Sequence, residues 1–220
     1  MIKISKRLEA ISRFVPEGSN VVDIGCDHGL LSIYLYQSKI VNKIIASDVN
    51  ENALNNAKEN IKKYNVPIET RLGSGLDVIS LEDNIDTIII AGMGAHTIIG
   101  MFKTNFNKLK NINNIIIQSN TKLDFLRKEM SNLNYMIIDE DIVFDSGKYY
   151  TIIKFIEGKK RYNKKELYFG PILLKKNSDC FKKYNKIELG KLELLFKMLP
   201  KNKIIDRYKI KKKIKLYSKI

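Results

Sequence analysis

The stretch of residues 20–31, Asn-Val-Val-Asp-Ile-Gly-Cys-Asp-His-Gly-Leu-Leu, constrains the fold of this chain more than any other. Val21, Val22 and Ile24 predict a short buried strand, and the apolar periodicity from Leu30 to Tyr36 predicts a helix. A strand, a glycine turn and a helix in this order begin the nucleotide site of an open α/β sheet. The stretch therefore predicts a doubly wound α/β fold with a ligand at the turn.

The residues inside this turn indicate the charge of the ligand. Asp27 and His28 stand between Gly25 and Gly29. A dinucleotide pyrophosphate binds bare backbone N–H groups, and a facing carboxylate would repel it. S-adenosylmethionine instead carries a sulfonium and an ammonium, which acidic residues attract. We expect the turn to bind S-adenosylmethionine, with NAD as the second candidate, through Asp23, Gly25, Cys26, Asp27 and Gly29.

An acidic residue ends the second predicted strand, Lys43–Ser47. Asp48 lies about 20 residues beyond the glycine turn, where a carboxylate accepts hydrogen bonds from the ribose hydroxyls of a nucleotide. The alternative is that Asp48 caps the helix predicted over residues 50–64, but Asn50 can do so instead. We predict that Asp48 anchors the ribose and that the adjacent Val49 also contacts the cofactor.

Two more strands end in glycine-rich turns. The strand 67–72 precedes Gly73-Ser74-Gly75, which we expect to cover the adenine of the cofactor, the alternative being an ordinary turn. The strand 86–91 is apolar on both faces, as in the centre of a parallel sheet. After it, Ala91-Gly92-Met93-Gly94 is predicted to form a low wall beside the transferable methyl, or simply a tight turn. The next helix is expected to bury Ile98, Ile99, Phe102 and Phe106.

The remaining α/β elements carry candidate substrate contacts. Gln118 and Asn120 lie at the end of a fifth predicted strand, 114–118. Their amides could form hydrogen bonds with the edge of a base, or they could equally cap the helix predicted over residues 123–133. On the first helix, 5–15, Arg7 and Arg13 are candidates to touch the substrate, although a solvated face is favoured for both. The strands 136–144 and 149–156 form a hairpin at the sheet edge.

All the excess positive charge lies in the last 63 residues. Residues 1–157 hold 18 Lys and Arg against 19 Asp and Glu, whereas residues 158–220 hold 21 against 5, a balance of +16. A general bias toward lysine would act on both parts, so the uneven charge favours a surface for a polyanion such as RNA. We therefore predict a cofactor-binding methyltransferase domain over residues 1–157 and a basic RNA-binding appendage over residues 158–220.

The appendage is expected to be a helical hairpin resembling a coiled coil, broken at Pro200. A dimerisation arm is the alternative to RNA binding, and we expect a monomer while leaving the oligomeric state open. The first predicted helix, 177–199, has an apolar stripe of Phe181, Tyr184, Ile187 or Glu188, Leu192, Leu195 and Leu199. The second, 203–219, has a stripe of Ile204, Ile205, Tyr208 and Leu216.

Other classes of chemistry have little support in the sequence. His28 and His96 lack partners at metal-ligand spacing, so no metal is expected. Cys26 lies beside an acidic residue that should raise its pKa, which disfavours a thiolate nucleophile. Two distant cysteines, the lack of a signal peptide and the lack of an apolar run of about 18–20 residues predict a cytoplasmic protein with no membrane contact.

Five motifs along the chain are specific enough to compare with known families. They are Asp23-Ile24-Gly25-Cys26-Asp27-His28-Gly29, Ile90-Ala91-Gly92-Met93-Gly94, Gln118-Ser119-Asn120, Gly147-Lys148-Tyr149-Tyr150 and Phe169-Gly170-Pro171. Together they resemble the bacterial tRNA (adenine-22-N1)-methyltransferase family, TrmK. The resemblance extends from about Arg7 to Tyr184, and its specific parts are the Asp-His pair inside the glycine turn and the Ala-Gly-Met-Gly turn. Ala95 and Ser119 depart from the family pattern, which more often has glycine and proline there.

The resemblance implies a class I fold with a C-terminal coiled coil and methyl transfer from S-adenosylmethionine to N1 of an adenine in tRNA. Asp27 or His28 is the expected catalytic group, which would stabilise the cationic product or accept its proton. Two rival functions are a methyltransferase for a small molecule or a protein, and a non-catalytic RNA-binding protein. The charge of the appendage disfavours the first, and Asp48 with the intact glycine turn disfavours the second.

Overall fold

The protein folds as a seven-stranded mixed sheet with helices on both faces and a helical C-terminal part. The computed structural model describes residues 1–218 and 220. The strands are β1 (Ser19–Ile24), β2 (Val41–Asp48), β3 (Glu69–Leu72), β4 (Thr87–Met93), β5 (Asn114–Ser119), β6 (Tyr135–Asp145) and β7 (Lys148–Glu157). The helices are α1 (Lys6–Ser12), α2 (Leu30–Gln37), α3 (Glu51–Lys63), α4 (Ala95–Thr104), α5 (Leu123–Asn132), α6 (Lys164–Phe169), α7 (Pro171–Lys176), α8 (Asp179–Met198) and α9 (Ile204–Tyr217).

The strand order β3-β2-β1-β4-β5-β7-β6 confirms the predicted doubly wound sheet with an antiparallel edge. The first five strands pair in parallel, whereas β7 pairs antiparallel with both β5 and β6. The chain moves outward from β1 through β2 to β3 and then returns to β4 on the other side of β1. Ligands bind at such a reversal, because the loops after the two central strands separate and leave a crevice.

The core lies on both faces of the central strands. Ile88, Ile89 and Ile90 of β4 are fully buried, as the continuous apolar pattern predicts. One face packs against α4 and α5 through side chains such as Phe102, and the other packs against α1, α2 and α3 through side chains such as Leu54. These two apolar layers fix the positions of the carboxyl ends of β1, β2 and β4 relative to one another.

Some predicted boundaries need correction. The first helix, predicted over residues 5–15, begins after its cap residue Ser5, whose Oγ accepts a hydrogen bond from the Leu8 N–H, and it ends at Ser12. The fourth strand continues through Ala91 and Gly92 to Met93, so the expected turn is the bulged end of β4. Phe106 was expected to face inward but is 47% exposed, because a short 3₁₀ helix over residues 106–109 buries Leu109 instead.

The start of the predicted appendage packs closely onto the sheet through α6 and α7, two helices that the sequence did not predict. The buried Arg127 of α5 donates from Nε to Glu140 Oε1 of β6 at 2.8 Å, and its Nη1 donates to the Leu167 carbonyl. The other Glu140 oxygen accepts from the Ile172 N–H at 2.9 Å. At the junction of α6 and α7, a Cβ on Gly170 would lie 2.6 Å from Glu140 Oε2, so this close approach needs glycine.

The buried pair affects where the chain can be divided. A buried hydrogen-bonding group that loses its partner typically costs about 1–3 kcal/mol, and more when the group is charged. A cut after residue 157 would remove the backbone groups that satisfy Arg127 and Glu140. The boundary at residue 157 stays a prediction from charge, and truncations are better placed beyond α7.

Helices α8 and α9 form the predicted antiparallel hairpin. The first stripe is confirmed in part, since Phe181 is buried and Tyr184 and Leu192 are half-buried. Of the second stripe only Leu216 faces inward together with Ile210 and Tyr217, which the sequence did not assign. The end of the predicted helix, Lys219, lies outside the described residues. The exposed members of the two stripes are Ile187, Leu195, Ile204, Ile205 and Tyr208.

The second stripe was wrong because the lysine-rich helix follows the contacts of its ends rather than its own periodicity. The guanidinium of Arg207 donates to the Leu199 carbonyl at 2.6 Å and lies 4.2 Å over the Phe196 ring, which fixes the start of α9. Tyr217 packs edge-on to Phe169 at 4.9 Å and fixes its end. None of the helices in the described part of the chain combines the length and the apolar character that a bilayer crossing requires.

Candidate active site

A cavity of about 520 Å³, here called the crevice, opens at the carboxyl ends of β1, β2 and β4. It is where the reversal of strand order predicts a ligand. The first helix and the loop after β5 close its sides. The crevice is lined by Arg7, Leu8, Asp23, Gly25, Cys26, Asp27, His28, Leu30, Leu31, Asp48, Ala91, Gly92, Met93 and Asn120.

The glycine turn is held against β2. The N–H groups of Gly25 and Cys26 both donate to the Ser47 carbonyl, at 2.8 and 2.9 Å. Gly25 has a φ of +74°, and a Cβ there would lie 2.4 Å from the Met93 Cε. A side chain at position 25 would therefore strain the backbone and force the Met93 side chain to move.

Asp48 lies at the tip of β2 with its carboxylate aimed at the turn. Its Oδ2 accepts from the Asp27 N–H at 3.1 Å, and its Oδ1 accepts from the Asn50 N–H at 2.9 Å. Asn50, not Asp48, caps α3, because the Asn50 side chain accepts from the Asn52 and Ala53 N–H groups. The capping alternative for Asp48 is thereby removed. Each carboxylate oxygen accepts further hydrogen bonds, which leaves capacity for two hydroxyls.

Asp23 is the most deeply buried acid of the crevice. Ser32 Oγ donates to its Oδ2 at 2.7 Å, and the side chain is 3% exposed. Burial, together with the negative charge of Asp48, raises the pKa of Asp23 to about 6, against the hydrogen bond from Ser32. A cation bound in the crevice would favour the ionised form of Asp23.

We predict that Asp23 makes the stability of the cofactor-free protein fall with pH. The pKa of Asp23 is higher in the folded than in the unfolded protein, so the unfolded chain releases this proton at a lower pH. As pH rises, the unfolded state is therefore stabilised relative to the folded state. Relative to Asp23→Asn, the wild-type free energy of unfolding should fall by about 3 kcal/mol between about pH 4 and pH 6 and then level off. Urea unfolding at several pH values measures this difference. Parallel pH curves for the two proteins would contradict the assignment, and Asp77→Asn, at an exposed acid, is the control.

Cys26 reports the combined field of the acids. Burial and the negative charges of Asp23, Asp48 and Asp27 raise the pKa of its thiol far above the ordinary range. The expectation that Cys26 is not a thiolate nucleophile agrees with this shift. The same field disfavours a phosphate bridge and favours a cation.

The candidate catalytic pair lies at the mouth of the crevice. Asp27 Oδ1 is 3.7 Å from His28 Nε2, and the two side chains are 72% and 52% exposed. Asp27 has a φ of +51°, a conformation that Asp and Asn tolerate better than most residues. His96 lies elsewhere, stacked on Phe125 at 4.3 Å, so the two histidines do not converge.

The predicted substrate contacts form one hydrogen-bonded network beside the β4 bulge. The buried Gln118 accepts through Oε1 from Arg7 Nη1 at 3.1 Å and from the Gly92 N–H at 3.2 Å. Its Nε2 donates to Asn120 Oδ1, and Asn120 Nδ2 donates to the Gly92 carbonyl at 2.7 Å. Neither amide caps α5, whose N-cap residue is Lys122. Gln118 is buried and does not line the crevice, whereas Arg7 and Asn120 do.

The prediction that both arginines of the first helix face solvent was wrong for Arg7 and is confirmed for Arg13. Arg7 is half-buried at the crevice, its guanidinium 5.3 Å over the Tyr150 ring, whereas Arg13 is exposed. The hairpin turn explains this placement, because the Arg7 N–H donates to Asp145 Oδ2 at 3.1 Å and so ties α1 to the end of β6. Helix periodicity alone carries no information about such a contact.

Six residues assigned to the cofactor do not line the crevice. Gly29 packs α2 against α3, since a Cβ there would lie 3.1 Å from the Ala57 Cβ. Val49 is 70% exposed and Ser74 is also exposed, beyond the tip of β3. Contact with the outer part of a bound nucleotide therefore stays a prediction for these loop residues. The six are Gly29, Val49, Gly73, Ser74, Gly75 and Gly94.

A second cavity, of about 690 Å³, adjoins the crevice and was missed by sequence reasoning. It lies between the sheet and the hairpin of α8 and α9, and Arg7 and Asn120 line both cavities. Tyr149, Tyr184 and Tyr217 contribute to its walls. The Tyr149-Tyr150 motif was the one sequence signal for it.

Comparisons with known proteins agree with this geometry. A family model described as TrmK, tRNA (adenine(22)-N(1))-methyltransferase, matches residues 21–219. A Bacillus subtilis tRNA (adenine(22)-N(1))-methyltransferase is 32% identical over 154 residues, which cover 69% of this chain and 64% of that protein. The chain thus spans just under two thirds of the length of that relative.

Two solved structures that hold the cofactor or its product share the fold over nearly their whole length. Streptococcus pneumoniae Sp1610 in complex with S-adenosyl-L-methionine has a TM-score of 0.91 and 30% identity, and the match covers 99% of each chain. M. capricolum TrmK in complex with S-adenosyl-homocysteine has a TM-score of 0.86 and 28% identity, and the match covers 98% of this chain and 96% of that one.

Proposed function

This chain belongs to the TrmK family of tRNA (adenine(22)-N(1))-methyltransferases, and we infer that it transfers a methyl group from S-adenosylmethionine to N1 of adenine 22 in tRNA. The observation that carries this inference is the crevice, where Asp23, Asp27 and Asp48 meet at the reversal of strand order. Three carboxylates suit a cationic methyl donor and oppose a dinucleotide. NAD, the second candidate, is disfavoured for the same reason.

The residues of the crevice fit this cofactor. When bound, S-adenosylmethionine supplies an electrophilic methyl group on a positively charged sulfur. Asp48 would accept hydrogen bonds from its ribose hydroxyls, Asp23 would offset its positive charges, and the backbone at Gly25 would leave room for it. Gly92 and Met93 form the wall on the β4 side.

The protein's main task in this reaction is alignment. Adenine N1 has an in-plane lone pair and needs no prior deprotonation, so it can attack the methyl carbon directly. Holding two reactants in line contributes up to about 7–11 kcal/mol. The exposed Gly92 offers no side chain that would obstruct a flat base, and Arg7 and Asn120 line its approach. Pairing normally buries N1, so the adenine must be unpaired or flipped out.

Asp27 and His28 are the candidate catalytic residues. Methylation at N1 makes the adenine cationic, and this cation forms at the crevice mouth where Asp27 and His28 lie 3.7 Å apart. Asp27 stabilises the positive charge, and His28 or Asp27 takes the proton that the amino group releases. Gln118 is a positioning residue, because its amide holds Arg7 and Asn120 rather than facing the crevice.

The basic C-terminal part binds the rest of the tRNA in this proposal. Residues 158–220 carry the balance of +16, and the five lysines of α9 are all exposed. We propose that a monomer is sufficient for the reaction. No metal takes part, and the reaction belongs in the cytoplasm, where tRNA is used.

Mass spectrometry of tRNA nucleosides, after incubation with protein and cofactor, tests the function. We expect 1-methyladenosine in unmodified tRNA and none in a tRNA with guanosine at position 22. Methylation of metabolites or proteins without methylation of RNA would contradict the proposal. Cofactor binding without transfer to any RNA would instead support a non-catalytic RNA-binding protein.

In the same assay, with the cofactor at saturating concentration, Asp27→Asn should lower kcat about tenfold or more. Because Asp27 is also one of the three carboxylates of the crevice, the variant should bind the cofactor more weakly as well. Asparagine tolerates the left-handed backbone at this position, so the fold of the turn should persist. An unchanged kcat would remove Asp27 from the catalytic role.

A further inference from the structure

The second cavity, here called the chamber, has a size and a position suited to a nucleoside. Its volume of about 690 Å³ lies within the usual range of about 300–1,000 Å³ for ligand sites. It begins at Arg7 and Asn120, where the crevice ends, and it extends beneath α8 to Asn185. A base that enters the chamber therefore meets the methyl group at the shared end.

Asn185 is the unusual residue of the chamber. Its side chain is 6% exposed, and neither the amide nitrogen nor the amide oxygen has a hydrogen-bond partner. Among the described residues it is the only side chain left in this state. Buried polar groups are normally paired, and an unpaired one is unfavourable for folding. An unpaired donor and acceptor at the wall of a cavity instead suit a ligand with the opposite pattern.

The walls of the chamber suit a base and its phosphates. The rings of Tyr149 and Tyr184 lie 5.2 Å apart, and Tyr168 and Tyr217 contribute further aromatic surface. Unpaired bases of RNA stack on such rings. Lys148 and Lys213 also line the chamber and supply positive charge for a backbone phosphate.

We propose that the chamber receives the target adenine and that Asn185 binds its N6/N7 edge, an inference that rests on the proposed function. Adenine presents a donor at N6 and an acceptor at N7, which an asparagine amide matches with both atoms at once. Guanine presents two acceptors on that edge and fails this match. Recognition through N6 and N7 also leaves N1 free, whereas binding of the pairing edge would cover it.

Replacing one atom of the substrate tests the contact. A synthetic tRNA with 7-deazaadenosine at position 22 keeps N1 but lacks the N7 acceptor. We expect the kcat/KM of the wild-type protein to be about tenfold lower on this RNA than on normal tRNA. The kcat/KM of Asn185→Leu should be about 10- to 100-fold below that of the wild type on normal tRNA, and it should be the same on the two RNAs. Asn113→Leu, at an exposed amide before β5, is the control and should behave as the wild type.

Stability separates a ligand contact from a structural one. Because neither amide atom is paired, Asn185→Leu should keep or raise Tm while it lowers activity on tRNA, and its affinity for S-adenosylmethionine should be unchanged. A Tm several degrees lower would make Asn185 structural and overturn the proposal. Equal discrimination by wild type and variant, or none by either, would also overturn it. If wild-type protein methylates no tRNA at all, the proposed function itself fails.

Discussion

Replacing Asp48 by alanine is expected to weaken the binding of S-adenosylmethionine by about 10²- to 10⁴-fold. Hydrogen bonds to a charged acceptor contribute about 1.5–3 kcal/mol each, and Asp48 is placed to accept two from the ribose. The carboxylate also accepts from the Asp27 N–H at 3.1 Å, so its loss loosens the glycine turn as well. Isothermal titration calorimetry at fixed pH and salt measures the change in affinity.

Two variants make this result specific. Asp48→Asn keeps the shape of the side chain and one acceptor, so its affinity should fall between those of the wild type and Asp48→Ala. Asp77→Ala removes an exposed acid from the loop after β3 and should leave affinity within a few-fold. If Asp48→Ala binds the cofactor as tightly as the wild type does, the carboxylate does not hold the ribose. The assignment of the crevice as the S-adenosylmethionine site would then be wrong.

The sequence predicted the sheet and the crevice well because both depend on local patterns. A continuous apolar run such as Ile88–Ile90 identifies a buried parallel strand without knowledge of its neighbours. Asp23 and Asp48 lie at the carboxyl ends of two parallel strands, and these ends must meet at one edge of the sheet, so the convergence of the two acids is a consequence of topology.

The contacts that the sequence could not predict join residues far apart in the chain. Arg127 reads as one more charged position on an amphipathic helix, yet it is 1% exposed and paired with Glu140. Arg7 reads as solvated, and it reaches the crevice only because the hairpin turn at Asp145 holds α1 there. No periodicity identifies such partners.

The chamber shows the same limit for function. Asn185 interrupts an otherwise apolar stripe on α8, which a pattern-based interpretation treats as a minor defect. Its importance depends on two facts of packing, that it is buried and that nothing pairs with it. The positive charge of the appendage, in contrast, follows directly from the sequence, because a net charge is a count of residues and does not depend on how they pack.

Removing five lysines of α9 should weaken tRNA binding about 10³-fold at low salt and leave cofactor affinity unchanged. Each lysine that contacts a phosphate releases counterions on binding, so the loss of five contacts should also reduce the slope of log K against log salt by about four to five. Fluorescence anisotropy with labelled tRNA between 50 and 200 mM salt, about the range where such effects are large, measures both quantities. The variant replaces with alanine the exposed residues Lys209, Lys211, Lys212, Lys213 and Lys215.

A second variant with the same change in charge shows whether position matters. It replaces five exposed lysines on the surface away from the hairpin, Lys3, Lys39, Lys58, Lys62 and Lys63. If α9 is the RNA surface, this variant should keep most of the salt dependence, since exposed charges more than about 10 Å from the RNA are screened at 0.1 M salt. Equal losses in both variants would mean that net charge alone attracts tRNA. An unchanged salt slope in the α9 variant, with a lower molar mass by light scattering, would instead assign the hairpin to dimerisation.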